Sequence, residues 1–201
     1  MSKPIVALLP MKAHSERVPG KNFRQIAGKP LAKWILDALL EVDAVSKVVI
    51  NTDARKLLDD IGVVDSDRVL IRDRTEELCG DMVSMNLILQ DDILAVKSDL
   101  YLMTHTTNPL ISASTLREAI DKFEENDEAD SLFSVNRVQT RFYKGNGEAV
   151  NHDPGNLIRT QDLEPWFEEN SCLYLFTQDS FAKTGSRIGE HPMMFETPPL
   201  E

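Results

Sequence analysis

Short apolar runs alternate with segments of helical spacing along the first 123 residues of this chain. The apolar runs, typical of buried strands, lie at residues 5–10, 47–50, 68–71 and 100–103. The helical patterns lie at residues 30–40, 84–96 and 114–123, with a shorter one that starts at 51–53 and ends at Leu58. Strands that alternate with helices form a parallel sheet with helices on both faces. We therefore predict one α/β domain with a mostly parallel sheet over residues 1–201.

The alternation weakens after Phe133, where a polar stretch covers residues 136–170. Its glycines at 145 and 147 predict a hairpin turn, and strand character returns at residues 172–176. A stretch this polar cannot bury a large core of its own. We predict an arm that covers a site or a partner subunit, although Arg159, Gln161 and Trp166 could serve only in arm packing or dimer contacts.

A basic loop follows the first strand, and it carries Lys12, Arg17 and Lys21 in a chain of net charge −11. Ligands of open α/β sheets bind beyond the carboxyl ends of the strands, where this loop should lie. Local cations in an acidic chain favour an anionic ligand. We predict that the loop binds a polyphosphate, with Ser15 and the amides near Gly20 as further donors; the alternative is a solvated connection.

Several familiar site motifs are missing from the sequence. It contains no Gly-x-Gly-x-x-Gly, no Gly-x-Ser-x-Gly and no zinc-ligand spacing, and Asn22 follows Gly20-Lys21 where a P-loop needs Ser or Thr. Phosphoryl and nucleotidyl transfer need mainly positioning and charge neutralisation, so the loop remains compatible with them. The negative charge argues against nucleic-acid or anionic-membrane partners. Cys79 and Cys172 lack metal spacing, and we expect a cytoplasmic chain with reduced thiols.

Ordered motifs along the chain resemble those of the acylneuraminate (CMP-sialic acid synthetase) family of sugar cytidylyltransferases. That family has a basic loop followed by Gly-Lys-Pro-Leu, then Ser/Asn-Thr-Asp, Arg-Pro-x-x-Leu-x-x-Asp-x-x-Ser, Gln-Pro-Thr-Ser-Pro-Leu and Glu-Asn-Gly-x-x-Tyr. The matching residues here are Lys12, Ser15, Pro19, Lys21-Asn22, Gly28–Leu31, Asn51–Asp53, Arg74–Ser84, His105–Leu110 and Glu169–Tyr174.

The resemblance implies a Rossmann-like nucleotidyltransferase fold with a protruding arm at residues 136–170 that makes a homodimer. It implies that CTP and a 2-keto-3-deoxy sugar acid, such as sialic acid or a related nonulosonate, give a CMP-sugar and pyrophosphate with Mg²⁺ as cofactor. Such a product would serve cell-surface polysaccharide biosynthesis. By position, the catalytic residues would be Lys12 and Lys21, which also bind nucleotide with Ser15, Asn22, Arg74 and Ser84, and the sugar-acid contacts would be His105, Arg159 and Asn170.

Individual residues leave alternatives open at this point. Asp53 could cap the helix after Thr52, Asp81 could be a cap or an orienting group, and Arg74 could pair with a surface glutamate. We expect Ser112 or Ser114 to cap the helix at 114–123.

The sequence also departs from the family pattern. Lys12 stands where the sialic acid enzymes usually have Arg, His105 replaces Gln, and Ser171 replaces Gly. The family's Asp-Ile-Asp metal motif would follow Glu201, so we assign no metal ligands. The alternatives to the cytidylyltransferase are another nucleotidyltransferase that acts on a sugar phosphate, and a non-catalytic nucleotide- or sugar-binding module.

Overall fold

A computed structural model describes residues 4–15 and 17–201, and residues 1–3 and 16 lie outside this description. The main sheet has seven strands, and two further short strands form a separate hairpin. In chain order the strands are β1 (Ile5–Leu8), β2 (Gln25–Ile26), β3 (Lys29–Pro30), β4 (Val45–Thr52), β5 (Val69–Asp73), β6 (Leu100–Thr104), β7 (Ser131–Val138), β8 (Trp166–Thr177) and β9 (Pro192–Glu196).

Five α-helices connect these strands within the described residues. They are α1 (Leu31–Leu40), α2 (Arg55–Asp60), α3 (Met85–Ala95), α4 (Ala113–Glu124) and α5 (Gln178–Thr184). Single turns of 3₁₀ helix occur at Lys21–Phe23, Glu76–Leu78 and Thr160–Asp162. In the part of the chain that the structure describes, no helix is long and apolar enough to cross a membrane.

The order of strands in the main sheet is β5-β4-β1-β6-β8-β7-β9. Strands β5, β4, β1 and β6 run parallel, whereas β8 is antiparallel to both β6 and β7, and β9 runs parallel to β7. The predicted α/β fold with a mostly parallel sheet is confirmed. The directions of β8 and β9 could not be predicted from the sequence, because the regular alternation of strand and helix patterns ends before them.

Alternate side chains of β1 pack into two cores, one on each face of the sheet. Ile5 and Ala7 join the core that contains Leu39 of α1 and Leu116 of α4. Val6 and Leu8 join the opposite core, together with Leu89 of α3 and Phe181 of α5. A strand buried on both faces is typical of a parallel sheet between two helical layers. The predicted helices on both faces are therefore confirmed.

Strand β4 is longer than the sequence pattern predicted. Asn51 and Thr52, which were expected to begin a helix, instead pair with Arg72 and Asp73 of β5. Ladder pairing keeps this backbone extended, and the helix begins only at Arg55. Both Asn51 and Thr52 are completely buried. This extension places their polar groups at the carboxyl edge of the sheet.

The predicted arm is the outer part of a long β7–β8 hairpin. Residues 136–138 and 166–170 belong to the two strands, which pair from Ser131↔Phe176 out to Val138↔Trp166. Beyond them a bridge joins Tyr143 to Ala149, and Gly147 at φ +85° supplies the left-handed turn.

Ser112, rather than Ser114, caps α4, because its hydroxyl accepts a hydrogen bond from the Thr115 amide at 3.2 Å.

Candidate active site

The loops that follow β1, β5 and β6 surround a cavity of about 220 Å³ at the carboxyl edge of the parallel strands. This is the position that the sheet topology assigns to a ligand. The residues that line it are Pro10, Met11, Lys12, Ser15, Lys21, Asn22, Arg74, Gly80, Asp81, Val83, Met85, Ile88, His105, Thr106 and Thr107. We call it the nucleotide cavity below.

Backbone hydrogen bonds hold the start of the basic loop against β4. The Leu9 amide donates to the Val49 carbonyl at 2.8 Å, and the Met11 amide donates to the Asn51 carbonyl at 3.0 Å. The Asp53 carboxylate then accepts a hydrogen bond from the Ala13 amide at 2.6 Å. Asp53 therefore orders the loop. The alternative that it caps the following helix is wrong, because α2 has no side-chain cap.

Asn22 joins the basic loop to the end of β6. Its side-chain nitrogen donates to the Lys12 carbonyl at 2.9 Å, and its oxygen accepts from the Thr106 hydroxyl at 2.7 Å. The side chain is buried, so both ends of the amide are used inside the protein. The turn before it needs Gly20, whose φ of +64° lies in the left-handed region.

The cations of the basic loop lie close enough to repel one another. Burial lowers the pKa of Lys21, and the positive charges of Arg17 and Lys12 lower it further. Lys12 forms an ion pair with Asp81, as the orienting role considered for Asp81 would require. Their side chains are 40% and 44% exposed, and ion pairs this exposed contribute only about 0–1 kcal/mol. An anion between Lys12 and Lys21 would relieve the repulsion and could displace Asp81.

Arg74 lines the nucleotide cavity and points inward. Its Nε donates to Asn51 Oδ1 at 2.8 Å, and its Nη2 donates to the Asn51 carbonyl at 2.8 Å and the Met11 carbonyl at 3.1 Å. The alternative of a surface pair with a neighbouring glutamate is therefore wrong. Burial lowers the pKa of this guanidinium, and nearby negative charge such as that of Asp53 opposes the effect.

A second cavity of about 370 Å³ adjoins the first, and Met85 lines both. We call it the acceptor cavity, after the role that we propose for it below; its other lining residues are Ser84, Asn86, Glu169, Ser186, Arg187 and Ile188. The Arg187 guanidinium lies 4.2 Å from the centre of the Tyr174 ring, and its Nη2 donates to the Tyr174 hydroxyl at 3.3 Å. That hydroxyl donates to the Glu169 carboxylate. Sequence reasoning missed Arg187 because it follows α5 in a stretch without a recognisable motif.

His105 lines the nucleotide cavity and is close enough to Arg187 of the acceptor cavity to be affected by its charge. Burial, followed by the positive charges of Arg187 and Lys21, lowers the pKa of His105 to about 4. The imidazole is therefore neutral at physiological pH. A neutral imidazole donates one hydrogen bond and accepts another, and it adds no positive charge to the site.

The structure brings most of the predicted site residues to one cavity. Lys12, Ser15, Lys21, Asn22, Arg74 and His105 all line it. Ser84 caps α3, where its hydroxyl accepts from the Asn86 amide at 3.3 Å, and it lines the acceptor cavity instead.

The other two predicted sugar contacts lie elsewhere. Arg159 is exposed on the arm and pairs with Asp162 at 2.7 Å. Asn170 is held inside the hairpin, where its side chain donates to Asn136 at 2.9 Å and to Thr197 at 2.8 Å. Neither residue lines the nucleotide cavity or the acceptor cavity.

The residues that the structure describes do not by themselves form a metal site of three or more ligating side chains. Among residues 4–15 and 17–201, no three His, Cys, Asp or Glu side chains form a group that could hold a metal ion. Among the described residues, the carboxylates of Asp53 and Asp81 contact the basic loop: Asp53 accepts a hydrogen bond from the Ala13 amide and Asp81 pairs with Lys12.

Comparison with known proteins identifies the family. The family model described as Cytidylyltransferase matches residues 6–197. The chain belongs to the cytidylyltransferase family. It is a nucleotidyltransferase by this membership, and the sugar cytidylyltransferase resemblance drawn from the motifs is confirmed.

Two relatives align with nearly the whole chain. A CMP-N,N'-diacetyllegionaminic acid synthase of Legionella pneumophila is 27% identical over 202 residues, which cover 96% of this chain and 84% of the relative. A pseudaminic acid cytidylyltransferase of Campylobacter jejuni is 23% identical, with 96% of this chain and 87% of the relative covered.

A solved structure supports the fold. The CMP:2-keto-3-deoxy-manno-octonic acid synthetase complexed with CTP superposes with a TM-score of 0.68 over 96% of this chain and 90% of that one, at 15% identity. This cytidylyltransferase therefore has a Rossmann-like sheet, as that structure does.

The depressed pKa of His105 predicts a pH-dependent stability. The unfolded chain takes up the proton near pH 6.5, the ordinary pKa of histidine, whereas the pKa of His105 in the folded chain is about 4. The free energy of unfolding should therefore fall as the pH is lowered from about 6.5 to about 4, because in this range the His105 side chain binds a proton in the unfolded chain but not in the folded chain. Urea titrations across this range should show a shallower fall in His105→Gln. Equal slopes in both proteins would contradict the assignment.

Proposed function

We propose that this protein transfers CMP from CTP to a 2-keto-3-deoxy sugar acid of the nonulosonate class and releases pyrophosphate. The single observation that carries the proposal is the group of three cationic side chains, Lys12, Lys21 and Arg74, that line one cavity of an acidic chain. The names of the relatives, which include legionaminic and pseudaminic acid cytidylyltransferases, support the acceptor class.

The nucleotide cavity would hold the triphosphate of CTP. Lys12 and Lys21 would neutralise its charge, with Ser15 as a further hydrogen-bond donor and Arg74 toward the cytidine. A triphosphate carries several negative charges, so it should outcompete the single carboxylate of Asp81 for Lys12, because that exposed ion pair is weak. Asn22 would act by holding the Lys12 backbone in place.

The acceptor cavity would hold the sugar acid, whose carboxylate is the group that Arg187 is suited to bind. Glu169 and Ser84 border the same space and could accept hydrogen bonds from sugar hydroxyls. Neutral His105 lies near enough to Arg187 to feel its charge, so it could bind the acceptor beside the triphosphate.

The reaction itself needs positioning more than covalent help from the protein. The anomeric hydroxyl oxygen forms a bond to the α-phosphorus, and the bond from that phosphorus to the oxygen that bridges it to the β-phosphate breaks. Pyrophosphate leaves with the electron pair, and the hydroxyl proton passes to solvent. Lys12 and Lys21 would stabilise the charge that grows on the phosphate oxygens.

We also propose that the reaction requires Mg²⁺, which can neutralise phosphate charge. This rests on the family resemblance, because the described residues supply no metal group of their own. Chelation by EDTA should stop pyrophosphate release, and added Mg²⁺ should restore it. Full turnover in EDTA would exclude the requirement.

We propose a homodimer formed through the arm. Large apolar side chains there are exposed, among them Leu157 at 62% and Tyr143 at 55%. Exposed apolar groups that cluster on one segment are typical of an interface. Sedimentation velocity should give a dimer, and Leu157→Asp should shift it toward monomer.

Turnover of CTP tests the function directly. Pyrophosphate release should require CTP, Mg²⁺ and a nonulosonate, and UTP or GTP should compete poorly for binding. Lys21→Ala should reduce turnover by about 10²–10³-fold, because a charge-stabilising group is removed. Its thermal midpoint should not fall, since the variant also relieves repulsion with Arg17 and Lys12.

Lys56→Ala is the matched control, because Lys56 is an exposed lysine of α2 that lines neither cavity. Preference for UTP or GTP would favour another nucleotidyltransferase. Saturable CTP binding without pyrophosphate release from any acid in the panel would favour a binding module.

A pair of arginine variants locates the acceptor carboxylate. Arg187→Ala should raise the KM for the sugar acid by about 10- to 150-fold, the range for a lost hydrogen bond to a charged group, and leave the KM for CTP nearly unchanged. Arg187→Lys keeps the charge and should recover part of the loss. Arg159→Ala should have little effect; a larger effect of Arg159→Ala than of Arg187→Ala would place acceptor recognition on the arm.

A further inference from the structure

The side chain of Asn51 is buried between groups of opposite charge. Its Nδ2 donates to Asp92 Oδ1 at 2.8 Å and to Asp91 Oδ2 at 3.2 Å. Its Oδ1 accepts from Arg74 Nε at 2.8 Å. Asn51 and Asp92 are both completely buried, so water does not compete for the hydrogen bond between them.

These partners fix which way the amide of Asn51 faces. A carboxylate only accepts hydrogen bonds and a guanidinium only donates them, whereas an amide has one donating end and one accepting end. Reversal of the amide would place its oxygen against Asp92 and its NH₂ group against Arg74, and both contacts would become repulsive. The Asp92 carboxylate therefore determines that an acceptor faces Arg74.

Arg74 in turn has little freedom left. Its Nε and Nη2 are held by the side chain and carbonyl of Asn51 and by the Met11 carbonyl. Among the described residues, Nη1 has no hydrogen-bond partner, and the side chain lines the nucleotide cavity. The plane of the guanidinium is thus set, with one nitrogen left for a ligand.

Asp92 is itself held by a cation outside the cavity. Arg72 Nη1 pairs with Asp92 Oδ1, and it pairs with Asp91 Oδ2 at 2.7 Å. The Arg72 charge offsets part of the cost of burying the Asp92 carboxylate. Arg72 lines neither cavity, so this pair belongs to the support of the site rather than to the site itself.

We propose that Asp92 is a positioning residue for nucleotide binding, which acts through the Asn51 amide to set the orientation of Arg74. The proposal rests on the proposed function only in taking Arg74 as a nucleotide contact. It assigns a role in ligand recognition to a fully buried residue of α3 that no motif of the sequence marked for function.

The test measures CTP binding by calorimetry in Asp92→Ala, Arg74→Ala and the double variant, with thermal midpoints as a check on folding. Asp92→Ala removes the acceptor for Asn51 and should weaken CTP binding about 10-fold. In the Arg74→Ala background it should add almost nothing, because the two residues act in series. Two additive losses would mean that Asp92 acts only on the general fold, and would overturn the proposal.

Two conservative variants sharpen the result. Asp92→Asn keeps an oxygen at the position that accepts from both Asn51 and Arg72, so it should bind CTP within about 3-fold of the parent. Asp91→Ala removes the longer, partly exposed contact and should also have a small effect. If Asp92→Ala does not fold, Asp92→Ser, whose hydroxyl is too short to reach Asn51, takes its place with the same expectation.

The experiment distinguishes failure of the Arg74 assignment from failure of the positioning role of Asp92. If Arg74→Ala binds CTP like the parent protein, the assignment of Arg74 to the nucleotide fails. If Arg74→Ala weakens binding and Asp92→Ala does not, the nucleotide site stands and the positioning role of Asp92 is wrong.

Discussion

The parallel pairing of β1 with β4 and β6 is the constraint on which the site depends. It places the carboxyl ends of the three strands at one edge, with the basic loop leaving from the central one. The loop then continues beside β4 through the Leu9 and Met11 amides before it turns away. Lys12 is therefore placed by backbone hydrogen bonds. These bonds keep it near Lys21 although the two positive charges repel each other.

Two buried asparagines connect residues of the site to the strands and helices around it. Asn22 connects the Lys12 carbonyl to Thr106 after β6, and Asn51 connects Arg74 to the carboxylates of α3. An amide suits both positions because it satisfies a donor and an acceptor at once in a place without water. The backbone of Lys12 and the guanidinium of Arg74 are thus positioned by neutral amide side chains.

The alternation of apolar runs and helical patterns was sufficient to predict the parallel half of the sheet, because each of its four strands coincides with an apolar run. The same reasoning missed β9 and could not foresee that β4 extends through Thr52, because pairing with β5 overrode a local helix-start signal. For the site, loop residues such as Lys12 and Lys21 could be predicted from charge and position. Arg187 could not, because only the packing of the segment after α5 against Tyr174 brings it to the acceptor cavity.

A crystal structure of the protein with CTP tests the central claim most directly, because the claim concerns where the triphosphate lies. The account predicts phosphate oxygens in contact with Lys12 and Lys21, and Lys12 released from Asp81. A nucleotide bound away from the basic loop, with the Lys12–Asp81 pair intact, would contradict it.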